Sequence, residues 1–305
     1  VQAAQPGGND RPLASPAVRR RAMDAGIDLQ AVPASGAQGQ VTQQDLDNWL
    51  QQSGAAAAAG GAAPAPSMAF TRREGVEDIP VVGLRRKIAE RMQQSKRHIP
   101  HFTYVEEVDV TELETLRQKL NERWGEARGR LTLLPFLARA MVLAINDFPQ
   151  MNARYDDEKG VVSRHAPVHL GVAAQTDSGL MVPVLRHAEA CDLWACANEI
   201  RRLAQAARNG SAHRDELSGS TITLTSLGAL GGIVSTPVIN YPEVAIVGVN
   251  RVVEKPVVRN GVIVVRKTMN LSSSFDHRVV DGMHAAEFIQ CIRELLECPS
   301  LLFVQ

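Results

Sequence analysis

Aromatic residues make up only 4% of this 305-residue chain, which leaves few rings on which exposed bases could stack. Lys and Arg total 33 and so do Asp and Glu, so there is no cationic excess to hold a nucleic acid or an anionic membrane. Four cysteines are present, Cys191, Cys196, Cys291 and Cys298, at spacings that fit neither a CxxC site nor a dense disulfide framework. A reducing cytoplasm is the expected setting. No apolar run approaches the roughly 18 residues that span a bilayer, and the N-terminus has no basic start followed by an apolar signal core. Neither nucleic acid nor membrane is therefore an expected partner. The apolar fraction of 45% is that of a globular protein.

Composition changes sharply along the chain. Residues 54–66 are all Gly, Ala or Pro, and no charge occurs between Asp47 and Arg72, the make-up of a linker. The first residues, VQAAQPGGND, have the same character. The expected organisation is a linker remnant at 1–12, a small module at 13–50, a linker at 51–78 and a large domain at 79–305. In the module, Ser15 can cap a helix with Pro16 at its first position and Ala17, Val18, Ala22 and Ala25 on one face, ended by Gly26. Thr42 and Asp45 offer a second cap ahead of Leu46, Trp49 and Leu50. About 38 residues leave no room for a pocket, so a partner protein is the expected purpose.

The large domain mixes both periodicities and reads as α/β with a substantial sheet. Phe102, Tyr104, Val108 and Val110 alternate as a strand, and Thr111 with Glu114 offers a capping box for the helix that follows. Helices are expected over Pro135–Asn146, Asp192–Arg208 and Met283–Leu296. Strands are expected in VHLGVAA, LMVPVL, TITLT, VAIVGV and VIVV.

The most informative segment is SSSFDHRVVDG, from Ser272 to Gly282, which places His277 four residues before Asp281 and just ahead of a helix. A neutral imidazole can take a proton from a thiol near pH 7. DHRVVDG resembles the signature of the acyltransferase domain in E2 subunits of 2-oxo acid dehydrogenase complexes. IPHFTYVEEVDV, FPQMN, GLMVPVL and LSGSTITLTSLGALGG resemble further blocks of that family, in the same order. LASPAVRRRAMDAGIDL resembles the peripheral subunit-binding domain that precedes it, and IPHFTYVEEVDVTELE and STPVINYPEVAIVGVN are most like bacterial branched-chain E2 chains.

The resemblance implies a chloramphenicol-acetyltransferase-like α/β (α+β) fold with a mixed sheet, and acyl transfer between the thiols of dihydrolipoamide and coenzyme A. His277 is then the general base, and Thr225 stands where the family usually has an oxyanion-stabilising Ser, with Ser226 as the fallback. Asp281 either orients the imidazole or holds Arg278 by an ion pair, and its spacing favours the second role. The sequence has no P-loop or GxGxxG pattern, and Arg117, Thr132, Thr225, Ser226 and Asn250 are the coenzyme A residues that the resemblance implies. Gln175 replaces an acidic pocket residue of some relatives, and Gly228–Gly232 reads as a structural turn. No metal is expected, since Pro100 separates His98 from His101 and no acidic or Cys cluster completes a site.

Further implications are binding of E1 and E3 through residues 13–50, with Arg19, Arg20 and Arg21 facing an acidic surface, and assembly into trimers and a cubic 24-subunit core. In such a trimer His277 of one chain faces Thr225 of its neighbour. Ala34, Ala37 and Gln40 depart from the family loop, which has Gly and basic residues there. No Lys has the D-K-A context of a lipoylated hairpin, so the lipoyl group is expected on a domain absent from this chain. The alternatives are an acetyl-transferring pyruvate dehydrogenase E2, a non-catalytic E2-like scaffold, and a free-standing acyltransferase. Retention of His277 and Thr225 opposes the scaffold, and residues 13–50 oppose the free-standing enzyme.

Overall fold

The computed structural model describes residues 12–59, 74–177 and 179–304. The expected linker at 1–12 and the centre of that at 51–78 therefore lie largely outside the described residues. The chain divides into two compact units, Val1–Glu77 and Asp78–Gln305.

In the first unit, α1 (Pro16–Asp24) starts where Ser15 Oγ accepts the Val18 N–H, with Pro16 in the first turn. At the head of α2 (Gln43–Ala59) the capping box forms as expected: Asp45 accepts the Thr42 N–H at 2.8 Å, and Thr42 Oγ1 accepts that of Asp45 at 3.3 Å. Hydrogen bonds from Ser35 Oγ, the Thr42 and Ser35 amides and Thr42 Oγ1 hold the Asp45 carboxyl well below the usual range. Among the described residues of this unit, Val18, Ala22, Val32, Val41 and Leu46 make the buried apolar core. The helix α2 runs nine residues beyond Leu50, where the module was expected to end, because Ala has the highest helix propensity and one Gly does not stop it.

The second unit begins with α3 (Gly83–His98), which the sequence reading overlooked although Leu84, Ile88 and Met92 fall at helical spacing. Strand β1 (His101–Asp109) leads into α4 (Thr111–Arg128), followed by α5 (Leu134–Asp147). The expected capping box at Thr111 does not form. Asp109 Oδ1 instead accepts from both the Thr111 amide and hydroxyl, while Glu114 turns to Arg117. The chain continues through β2 (Ala153–Asp156), β3 (Val161–Arg164), β4 (Leu170–Val172), β5 (Ala174–Thr176), β6 (Gly179–Met181), β7 (Val184–Leu185) and α6 (Leu193–Arg208). It closes with β8 (Ile222–Ser226), β9 (Ala245–Val249), β10 (Val253–Arg259), β11 (Val262–Asp276) and α7 (Gly282–Glu297). LMVPVL divides into two strands because Pro183 has no amide to give the ladder; its carbonyl accepts from Val172 instead.

The main sheet has the order β1-β11-β9-β8-β4-β7, with β10 paired to β11. It is mixed: β8 runs parallel to β4 and β9, while β11 is antiparallel to β1, β9 and β10. Helix α7 packs on β1 and on α5, and α5 packs on α6. Phe136, Met141, Phe275, Phe288 and Ile292 are fully buried between these elements. Strand β11 extends far past the expected VIVV to include Ser272, Ser273 and Ser274, which are buried.

Candidate active site

Strand β8 presents Thr225 near one end of the sheet. Its register partner is Gly248 on β9, which faces Ser272 on β11. The Thr225 side chain is half-buried and makes no hydrogen bond with the described residues. Ser226 Oγ accepts the Gly228 N–H at 3.1 Å, closing the turn that follows. Asn250, one residue past the end of β9, is buried, and its Oδ1 accepts from Ser272 Oγ at 2.7 Å. The structure thus brings Thr225, Ser226 and Asn250 to one corner. A Cβ on Gly231 would lie 3.2 Å from the Arg251 nitrogen, so the glycine turn closes over this corner as a structural element.

Two residues before Thr225, on the same face of β8, Thr223 Oγ1 donates to Glu243 at 2.6 Å. Asn240 and Ser220 donate to the same carboxylate, which is fully buried, and burial pushes it up to about 7. It anchors the strand that carries Thr225.

The remaining expected coenzyme A residues are not at this corner. Arg117 is bound through Nε and Nη2 to Glu114, at 2.9 and 2.8 Å, and through Nη1 to the Leu131 carbonyl, so its donors are engaged within the chain. Thr132 is exposed beside it, and neither makes a hydrogen bond or ring contact to Thr225, Ser226 or Asn250. Gln175 is exposed on the β5–β6 hairpin and donates to the Thr176 carbonyl.

His277 lies beyond the far end of β11. Its amide donates to the Pro100 carbonyl at 3.1 Å, and its ring lies against Phe102, 4.5 Å between centroids. The side chain is exposed and has no hydrogen-bond partner among the described residues. From Ser272 to His277 is roughly 17 Å along the strand, and β8 is two strands, about 10 Å, away from β11. One chain therefore cannot bring its own His277 to its own Thr225.

Asp281 takes neither of its expected roles within the chain. Its carboxylate is 76% exposed, 3.8 Å from His284 Nδ1, and touches neither His277 nor Arg278. The guanidinium it was expected to hold belongs instead to buried Asp276, which accepts from Arg278 Nε and Nη2 at 2.9 and 2.7 Å. The reason is the turn that follows β11 at residue 276: Asp276 Oδ1 accepts the Arg278 amide at 3.0 Å, which folds the Arg278 side chain back onto the same carboxylate. That DHR pairing was readable in the sequence and was overlooked.

On the small module, Arg19, Arg20 and Arg21 are not equivalent. Arg19 donates to the carbonyls of Pro12 and Ala14, and Arg21 lies 2.7 Å from Asp47. Arg20 is exposed and has no side-chain partner among the described residues. Elsewhere, a groove of about 600 Å³ between α3 and β6–β7 is floored by Leu84, Ile88, Met181 and Leu217, but holds none of His277, Thr225 or Asn250.

A family model described as 2-oxoacid dehydrogenases acyltransferase (catalytic domain) matches residues 73–304, and one described as e3 binding domain matches residues 12–47. The chain is 65% identical, over its whole length and 70% of the relative's, to the lipoamide acyltransferase component of the branched-chain alpha-keto acid dehydrogenase complex of Pseudomonas aeruginosa. It is 38% identical, over 96% of its length and 71% of the relative's, to the dihydrolipoyllysine-residue acetyltransferase component of the Staphylococcus aureus pyruvate dehydrogenase complex. Among solved structures it is similar to the dihydrolipoamide acetyltransferase of Azotobacter vinelandii, with a TM-score of 0.73 and 33% identity over 79% of this chain and all of that one. That enzyme was investigated for the catalytic role of a Ser, a His and an Asn, separated by 52 and then 4 residues. Another neighbour, with the same TM-score and coverage, is the cubic core of a pyruvate dehydrogenase multienzyme complex.

Proposed function

Since the chain belongs to the 2-oxoacid dehydrogenase acyltransferase family, we propose that it moves a branched acyl group between dihydrolipoamide and coenzyme A, with His277 as base and Thr225 as oxyanion donor. Thr225 and His277 are 52 residues apart and Asp281 follows four later, the intervals of the Ser, His and Asn investigated in the Azotobacter enzyme. This coincidence carries the assignment. The exposed imidazole and the uncommitted hydroxyl, on opposite ends of the sheet, suit a site completed between two copies in a trimer.

A coenzyme A thiol with a pKa of about 8.5 is mostly protonated at neutral pH. In the reading proposed, the imidazole of His277 takes that proton as sulfur attacks the thioester carbonyl carbon. The carbonyl oxygen becomes an oxyanion, and the neighbouring chain's Thr225 hydroxyl donates to it. When the intermediate collapses, the dihydrolipoamide sulfur leaves and recovers the proton from His277, so the base is regenerated. Thr in place of Ser keeps the donor and restricts its first torsion. Ser226, Asn250 and Ser272 suit the narrow end of the coenzyme, while Arg117 shapes the loop before Thr132. Asp281 contributes to the turn, since a relative with Asn at that interval has no carboxylate there.

We assign residues 12–47 to holding the E1 and E3 partners, the catalytic domain to a trimer-based cubic core, and the lipoyl group to a domain other than these two. The cytoplasm is the compartment assigned, in keeping with four unpaired cysteines. The test uses acetyl-, isobutyryl-, isovaleryl- and succinyl-CoA as donors to free dihydrolipoamide. The branched donors should give the highest kcat/KM, and His277→Ala should abolish turnover with assembly intact. Preference for acetyl-CoA would assign the chain to the pyruvate type, and turnover by His277→Ala would remove the base.

A further inference from the structure

Among the described residues, His277 is held only by its backbone and by the ring of Phe102, so the path of the chain on either side decides where its ring points. Immediately after it, Arg278 closes on Asp276 through its amide and guanidinium. That pair is two residues apart and sets the shape of the turn, but does not tie the turn to the rest of the domain.

The tie is Asp157, in the β2–β3 turn. It takes the remaining arm of Arg278, Nη1, across 121 residues of sequence, and the guanidinium also lies over the ring of Tyr155, 4.3 Å from its centroid. Asp157 further accepts from Tyr241 Oη at 3.3 Å and lies 3.5 Å from His98 Nδ1, whose ring meets Tyr241 edge-on. His98 ends α3, two residues before Pro100, whose carbonyl receives the His277 amide. One carboxylate thus grips both strands of backbone that hold the imidazole. Every group facing it is a donor or can become one, which only an acceptor-rich side chain satisfies. Its own aim is fixed by Asp156, which caps the turn through the Glu158 and Lys159 amides.

We propose that Asp157 is a positioning residue for His277, acting through Arg278 and His98; this rests on the reading of His277 as the base. Asp157 touches no reacting atom and lies outside the quoted family blocks. A displaced base loses rate without losing substrate affinity, and a shift of about 1 Å can cost on the order of a hundredfold.

The experiment compares Asp157→Ala, Asp157→Asn and His277→Ala as assembled catalytic cores, with acyl-CoA and free dihydrolipoamide. Asp157→Ala should lower kcat about tenfold to a hundredfold with both KM values unchanged. Asp157→Asn keeps one acceptor oxygen for Arg278 and should recover kcat to within several-fold of the parent. Parental kcat in an assembled Asp157→Ala core would overturn the inference, as would a loss that merely tracks unassembled protein or a matching rise in KM. If His277→Ala is inactive while Asp157→Ala is parental, only the positioning role fails; if His277→Ala turns over, the base assignment fails with it.

Discussion

Replacing Thr225 by Val removes a hydroxyl and almost nothing else. The two side chains have the same shape, both favour strands, and the Thr225 hydroxyl has no partner among the described residues that its loss would strand. The pairing of β8 with β9 at Gly248 is through the backbone and is retained. Stability should therefore change by less than about 0.5 kcal/mol. An oxyanion donor in a preorganised site contributes about 3–4 kcal/mol to the transition state, so kcat should fall roughly 100- to 1000-fold with KM for both thiols unchanged. Thr225→Ser should return most of the rate, since it restores the donor. The assay is single-donor acyl transfer to dihydrolipoamide, with thermal melting and particle size as controls. Ser226→Ala forfeits the hydrogen bond from Gly228, about 1 kcal/mol, and should leave kcat within a few-fold. Parental kcat in Thr225→Val would refute the reasoning, and a hundredfold loss in Ser226→Ala would move the donor to Ser226.

Three other outcomes follow from particular contacts. Glu243, raised from 4.5 to about 7 by burial, holds its proton in the folded state after the unfolded chain has lost it. Stability should fall as pH rises from about 4.5 to about 7, by roughly 3 kcal/mol, and Glu243→Gln should remove that slope; denaturation of both proteins at pH 5 and pH 8 checks it, and equal slopes would contradict it. Asp281→Asn should keep kcat within a few-fold in steady-state acyl transfer, because the exposed carboxylate pairs with neither His277 nor Arg278. In the small module, Ser15→Ala removes the cap on the Val18 amide and should cost about 1 kcal/mol in an unfolding titration.

Much of this architecture is legible in the residues. Ser15-Pro16 and Thr42 with Asp45 mark helix starts through their own side-chain chemistry, and the apolar runs at Val244 and Thr221 are short, β-branched strands. Where the reading falls short, long-range packing overrides local pattern. Ser272, Ser273 and Ser274 look like a polar loop, yet they pair with β1 and β9 in the middle of the sheet and are buried there. Thr111 with Glu114 satisfies the capping-box pattern, but Arg266 brings Asp109 to the helix start and Arg117 takes Glu114 away. Of the proposed site, His277 and Thr225 are the residues that spacing and resemblance point to. The partners that fix His277, Asp157 and Phe102, are not, because they come from elements 120 and 175 residues away in sequence.

The central claim is that the reacting groups come from two copies of the chain. Co-expression of His277→Ala chains with Thr225→Val chains, purified through a different tag on each, tests it directly. Each variant alone should be nearly inactive. In every mixed trimer, two-to-one or one-to-two, one of the three contacts pairs an intact His277 with an intact Thr225, so about a third of the parental kcat per site should return. No recovery in assembled mixed trimers would contradict the account.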